Sequence, residues 1–299
     1  VPFLLDTETP NEPSEFNIKF FVGDKRYWYA LVLDDKQVIK EDLYVYNSVQ
    51  PSLVFSRKLD GTASLIKLNA NLVKSNATIV EQLNVKCLSN MSFFAARNQV
   101  NCSLAYIDEV RDWMKNNMMP IIEPGTRMFE YAGKQMEKNA ELKAYILDFV
   151  HKADYNITDV YTEREKMPIP DFVKASIMED KDIPEKTKEK MLADNALERL
   201  RTDFQHTVKN KRGEENYRLS NSLQSEGTKR TFGIEAAIYE AIKTNGILPI
   251  DEIESSLHPE LVEFIIEKFL KEKSRSQLIV TSHYDPLLNT VDDLIRKDS

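Results

Sequence analysis

Residues 220–288 read SNSLQSEGTKRTFGIEAAIYEAIKTNGILPIDEIESSLHPELVEFIIEKFLKEKSRSQLIVTSHYDPLL. A Ser/Gly turn comes first, and Ile234, Ile238, Ala241 and Ile242 then recur at the spacing of one helix face. The apolar run GILPI ends at Asp251-Glu252, a second amphipathic helix follows, and the run QLIVT ends at Ser282-His283. Two short apolar strands joined through a helix, each with polar residues beyond its carboxyl end, predict a parallel βαβ sheet with a site along one edge. Such an edge suits phosphate chemistry.

Each polar piece has a definite chemical use. An acid pair at a strand mouth lets Asp251 hold Mg²⁺ while Glu252 polarises a water for in-line attack on a phosphoryl group. His283, delivered by the neighbouring strand, can hydrogen-bond a terminal phosphate or the attacking water. Ser225 and Gly227 open a helix, where a hydroxyl and free N–H groups face an anion. Alone, each is a common pattern: S-x-G-x-x-R also reads as a helix cap, and a single His is more often structural. His151 and His206 take the structural reading, and His258, ahead of Pro259, shapes a helix start.

Outward from this stretch, residues 15–67 alternate with period two, broken by turn signals at Gly23-Asp24, Asp34-Asp35 and Asp60-Gly61. They predict an antiparallel meander of about five strands, with Tyr27, Trp28 and Tyr29 divided between core and surface rather than forming a base-stacking set. From residue 76 the period becomes helical over 103–118, 127–151 and 183–203, with a hinge at 163–170. Residues 207–218 predict a hairpin turning at Arg212-Gly213, and its basic cluster of Lys209, Lys211 and Arg212 is of a size commonplace at turns. The expected organisation is an α/β protein: an antiparallel β lobe over 1–75, a helical subdomain over 76–206, and a parallel βαβ core over 207–299.

The 299 residues are 42% hydrophobic and carry a net charge of −8, enough for one large or two ordinary domains with a real core. That charge, with both signs interspersed, argues against a uniformly basic nucleic-acid surface; nucleic acid stays open as a partner without support from the net charge. No apolar run is long enough for a membrane helix. Two cysteines, Cys87 and Cys102, are too few for a disulfide framework, so a cytoplasmic location is expected.

The order of parts resembles that of the ATP-binding-cassette class of ATPases. SEGTKR resembles the signature motif, ILPIDE the Walker B motif, SSLHP the D-loop and TSH the switch histidine. More narrowly, VPFLLDTETPNEPSEFNIKF, RYWYALVLDDKQVIKEDLYVY, SFFAARNQVN and ILDFVHKADYNITDV look like segments of the prokaryotic AAA ATPase family fifteen, relatives of the SMC, RecF and OLD ATPases. The resemblance covers nearly the whole chain and implies a P-loop NTPase-like fold, ATP and Mg²⁺ as cofactors, and a homodimer that sandwiches ATP, coupled to an effector protein in sensing or antiviral defence. It assigns Asp251 to the Mg²⁺ shell, Glu252 to the catalytic base, His283 to the γ-phosphate switch, and Ser225 with Gly227 to the signature.

Two features depart from that pattern. No G-x-x-x-x-G-K-[ST] occurs in the 299 residues, so a chain truncated ahead of residue 1 and inactive by itself is expected. Pro249 lies inside the first apolar strand, where a missing N–H is expected to break the ladder. A non-catalytic interaction module on the same fold, or a metal-dependent nuclease using Asp251, Glu252 and His283, are the alternative readings; the nuclease ranks lower because two-metal sites collect more carboxylates.

Overall fold

The computed structural model describes Leu5 and residues 7–153, 156–180, 182–193 and 196–286. The chain forms two compact units, Val1–Asn116 and Asn117–Ser299.

In the first unit five strands follow one another as an antiparallel meander: β1 (Ser14–Val22), β2 (Lys25–Leu33), β3 (Val38–Tyr46), β4 (Ser52–Asp60) and β5 (Ala63–Leu68). Gly23 and Gly61 make the β1–β2 and β4–β5 turns with φ of 57° and 59°, a left-handed conformation that glycine adopts without a Cβ penalty. Three helices, α1 (Ala77–Lys86), α2 (Phe93–Arg97) and α3 (Ile107–Asn117), supply Leu83, Phe93 and Ile107 to a core shared with Tyr27, Leu43 and Phe55 of the sheet. Tyr27 is buried and donates to Glu109 at 3.0 Å, and Tyr29 donates to Glu41 at 2.9 Å, whereas Trp28 takes the opposite face. Arg57 is fully buried, donating to Ser64 Oγ at 3.0 Å and to the carbonyls of Val38, Leu88 and Ser89.

The expected helical subdomain over 76–206 divides differently. Helices α1–α3 share the core of the meander, and the remainder of the span mixes helix with sheet. After α4 (Phe129–Lys138) and α5 (Ala140–Lys152), which Asn139 separates by capping α5 at Leu142 N, comes β6 (Asp159–Pro168), which occupies most of the expected hinge. Helices α6 (Asp171–Glu179) and α7 (Glu185–Ala193) follow. The long strand β7 (Ala196–Asn210) then takes residues whose spacing predicted helix, and it pairs with β6 on one side and β8 (Gly213–Ser220) on the other. The β7–β8 hairpin turns where the sequence indicated, with Gly213 at φ 111°.

Beyond β8 lie α8 (Glu226–Thr244), β9 (Ile247–Ile250), α9 (Pro259–Lys271) and β10 (Gln277–Val280). Strands β9 and β10 are parallel, Ile247 to Ile250 opposite Gln277 to Val280. Residues 118–122 flank β9 on its other side through parallel bridges at Met118 and Ile122. Pro249 does not break the β9–β10 pair. Its carbonyl accepts from Ile122 N–H at 3.0 Å, so its missing donor falls on the flank of isolated bridges, while Gly246 and Ile250 accept from Gln277 of β10 and from Thr281 just beyond it. Among the described residues no strand pairs with the far edge of β10. Helix α8 is buried on nearly every side, with Phe232, Ile234 and Ile238 packed among Phe129, Phe149, Phe204, Leu248 and Ile265. No helix is long and apolar enough to cross a membrane among the described residues.

Candidate functional site

The carboxyl ends of β9 and β10 lie side by side because the parallel register is unbroken, and the loops leaving them converge. Thr281, the first residue beyond β10, accepts from Glu252 N–H at 2.9 Å and donates its hydroxyl to Asp251 Oδ1, while its carbonyl accepts from Ile253 N–H at 3.2 Å. His283 N–H donates to Glu254 Oε1 at 2.7 Å. Its ring Nε2 stands 3.8 Å from Glu252 Oε1, with the two side chains 86% and 46% exposed, so water reaches the space between them. The acid pair and the imidazole are therefore neighbours.

Residues 251–258 form a loop of tight turns, anchored by the buried side chains of Ile253 and Leu257. Two non-glycine residues in it are left-handed, Glu252 at φ 45° and Ser256 at φ 62°. That conformation costs a residue with a side chain about 1–3 kcal/mol and persists where surrounding contacts enforce it. Arg230 supplies such contacts. Its guanidinium donates to the carbonyl of Glu252 at 3.1 Å and of Asp251 at 3.5 Å, and to those of Pro124 at 3.0 Å and Glu123 at 3.3 Å. Burial lowers the pKa of Arg230 from its ordinary value, opposed by the charges of Glu252 and Glu254. At Glu254, burial is outweighed by the N–H of His283, the residue's own N–H and the Ser282 hydroxyl, so its carboxyl titrates below the usual range.

Ser225 and Gly227 open α8 at the end of the unit where the loop beyond β9 lies. Ser225 is the N-cap of α8, its Oγ accepting from Thr228 N–H at 3.0 Å, and the residue is exposed. Gly227 lies against the loop beyond β9: a Cβ built on it would stand 2.6 Å from the carbonyl oxygen of Ser256. The turn opening α8 and the SSLHP loop are thus in direct backbone contact, and Arg230, one helical turn further on, ties that helix to the acid pair. His206 pairs with Gln224 at 2.9 Å just ahead of Ser225, and His258 is the exposed N-cap residue of α9, its side chain making no cap hydrogen bond.

Sequence reasoning overlooked Glu254, which holds His283 in place, and gave no role to Thr281 or to Arg230. The D-E-I-E spacing was the available signal for Glu254: with Ile253 pointing into the core, the flanking carboxylates both stay near the strand end. A cavity of about 530 Å³ next to this region is lined by the segment from Pro124 to Glu130 together with Ser222, Glu226, Lys229 and Arg230.

A site of exposed acid and imidazole groups at the carboxyl ends of parallel strands, opposite a capped helix start, is the kind found in nucleotide-binding α/β domains. A profile of the family described as "AAA domain, putative AbiEii toxin, Type IV TA system" matches residues 131–289, more than half of the chain, and the chain belongs to that family. This places it broadly among the AAA and ABC-like ATPases, with a P-loop NTPase-like domain. No curated protein matches the chain.

Proposed function

We propose that the chain carries the hydrolytic half of an ATP site of the ATP-binding-cassette kind. The observation that carries this reading is the 3.8 Å approach of Glu252 and His283, brought together by two parallel strands, with Asp251 fixed beside them by Thr281. The donor set fits Mg²⁺ and a nucleotide: an oxygen ligand in Asp251, whose Oδ2 is not the atom bound by Thr281, and a water-accessible carboxylate next to an imidazole. Bound Mg²⁺ would polarise the terminal phosphoryl group.

Glu252 is the base. Its carboxylate accepts a proton from the attacking water, and its left-handed backbone, clasped by Thr281 and Arg230, sets where the carboxylate points. His283 orients the terminal phosphate or that water, held from behind by Glu254. Ser225 and Gly227 offer the hydroxyl and N–H groups of the α8 start to the nucleotide of a second copy, so the working form is a dimer closed over ATP and coupled to an effector. No G-x-x-x-x-G-K-[ST] occurs in these residues, so the reading is confined to the hydrolytic half of the site.

In the natural protein, Glu252→Gln is expected to reduce ATP hydrolysis by about 10²–10⁴-fold while leaving ATP binding intact. Undiminished turnover, or a protein with no affinity for ATP, would overturn the reading.

A further inference from the structure

We propose that the open face of the five-stranded sheet binds single-stranded nucleic acid, with unpaired bases stacking on Phe21, Trp28, Tyr44 and Tyr46 and phosphates met by Lys19, Arg26, Lys58 and Lys67. This does not depend on the ATPase reading.

One face of the sheet is closed by α1–α3 and carries Phe20, Tyr27, Leu43 and Phe55. The other is solvated, and an antiparallel sheet of this kind normally turns polar residues outward there. The register instead aligns Lys19, Trp28 and Tyr44 across three strands, and beside them Phe21, Arg26 and Tyr46. The rings of Trp28 and Tyr44 stack at 4.6 Å and 19°, with the Lys19 ammonium 5.7 Å from the indole, and the Arg26 guanidinium lies 3.8 Å over Tyr46. Polar tips fix the two stacked rings: Trp28 Nε1 donates to Asn17 at 3.0 Å and the Tyr44 hydroxyl to Asp42 at 3.1 Å. Phe21 is 61% exposed at the end of its row.

The charge on this face runs against that of the chain. Lys58 faces Lys40 across the β3–β4 pair, and Lys67 faces Ser56 across β4–β5. Of the acids on the same face, Glu15 and Asp60 lie at its margins and Asp42 is neutralised by Lys40 at 2.9 Å. In a protein of net charge −8, a cationic sheet face interleaved with oriented rings complements a polyanion that also offers flat apolar groups. Paired bases are already stacked within a duplex, so a platform of rings selects unpaired ones.

The test is titration of the natural protein with a fluorescent thymidine oligonucleotide of about 20 residues, at roughly 50 and 200 mM salt, alongside the same sequence as duplex. Expected are a preference for the single strand, weakening with salt, and quenching of Trp28 emission in a Trp113→Phe background, which leaves Trp28 as the sole remaining tryptophan of this chain's two. Tyr44→Ala should weaken binding by about ten- to a hundred-fold, and the surface pair Lys19→Glu with Arg26→Glu should do so without disturbing the core. Lys86→Glu on α1, the helix that covers the opposite face of the sheet, should leave affinity within about twofold. Absence of binding at the lower salt, equal affinity for duplex, or indifference to the face variants overturns the proposal. So does quenching by polyglutamate matching that by the oligonucleotide, which would make the face a dock for acidic protein segments.

Discussion

Replacing Gly227 by Ala is expected to destabilise the Asn117–Ser299 unit, against the usual direction of that change in a helix. Ala ordinarily exceeds Gly by about 1 kcal/mol in a helix interior, and by no more than that near an N-terminus. Here the added Cβ would stand 2.6 Å from the carbonyl oxygen of Ser256, a backbone atom in a loop pinned by Ile253 and Leu257. Ser256 is itself left-handed, so the loop cannot yield by a simple rotation of a side chain. Overpacking of this sort costs about 1–3 kcal/mol, which outweighs the propensity gain and leaves a net loss centred near 1 kcal/mol. For a unit of this size that corresponds to a fall in Tm of about 2–4 °C. Thermal denaturation followed by circular dichroism measures it, with Gly125→Ala as the control, because a Cβ at Gly125 meets nothing within 4 Å. A Gly227→Ala protein melting at or above the wild type would refute the claimed backbone contact between the α8 turn and the SSLHP loop.

Three further outcomes are expected. Arg230→Ala removes the donors shared by the carbonyls of Glu123, Pro124, Asp251 and Glu252, and should lower ATP turnover at least about tenfold with a smaller effect on ATP affinity, measured by steady-state kinetics and equilibrium binding. Ser225→Ala should cost about 1 kcal/mol through the lost cap at Thr228, with Ser225→Asn recovering most of it in chemical denaturation. Glu235 is fully buried against Lys268 at 3.3 Å, and burial raises its carboxyl to about 7. The folded state therefore keeps a proton that the unfolded state releases near the ordinary value of about 4.3. This contribution is full below that value, falls as pH rises toward 7 and is absent above it, a difference on the order of 3 kcal/mol. Urea unfolding at pH 5 and 7.5 should show the decline, and Glu235→Gln should flatten it. An unchanged slope in Glu235→Gln would remove the residue as its source.

The parts of the fold that could be read in advance were those where local chemistry decides. Gly23 and Gly61 sit at left-handed turns, alternation between them writes the meander, and the GILPI and QLIVT runs read as short strands, the first buried and the second partly exposed. Strand β7 was opaque because Leu200 and Phe204 are four apart among charged neighbours, a spacing that suits helix and strand alike. Its conformation is set by long-range pairing with β6 and β8, which no window of sequence contains. The meeting of Glu252 and His283 followed from two strands running parallel in register. The clasp of Arg230 on four carbonyls did not, since backbone acceptors have no sequence signature. Pro249 was misjudged because which flank of a strand loses a donor depends on the parity of that residue within the ladder.

Among the described residues strand β10 has an unpaired flank, on which Leu278 and Val280 turn their peptide groups away from β9, and Ile279 is 56% exposed. An apolar edge of this sort is a template for indiscriminate association between chains. Its brevity, four residues, limits how many rungs a stray segment could add, and Lys271, Lys273 and Arg275 immediately ahead of it raise the electrostatic cost of stacking like upon like. Neutralising those three cations should therefore appear first as turbidity on concentration, before any change in the melting temperature.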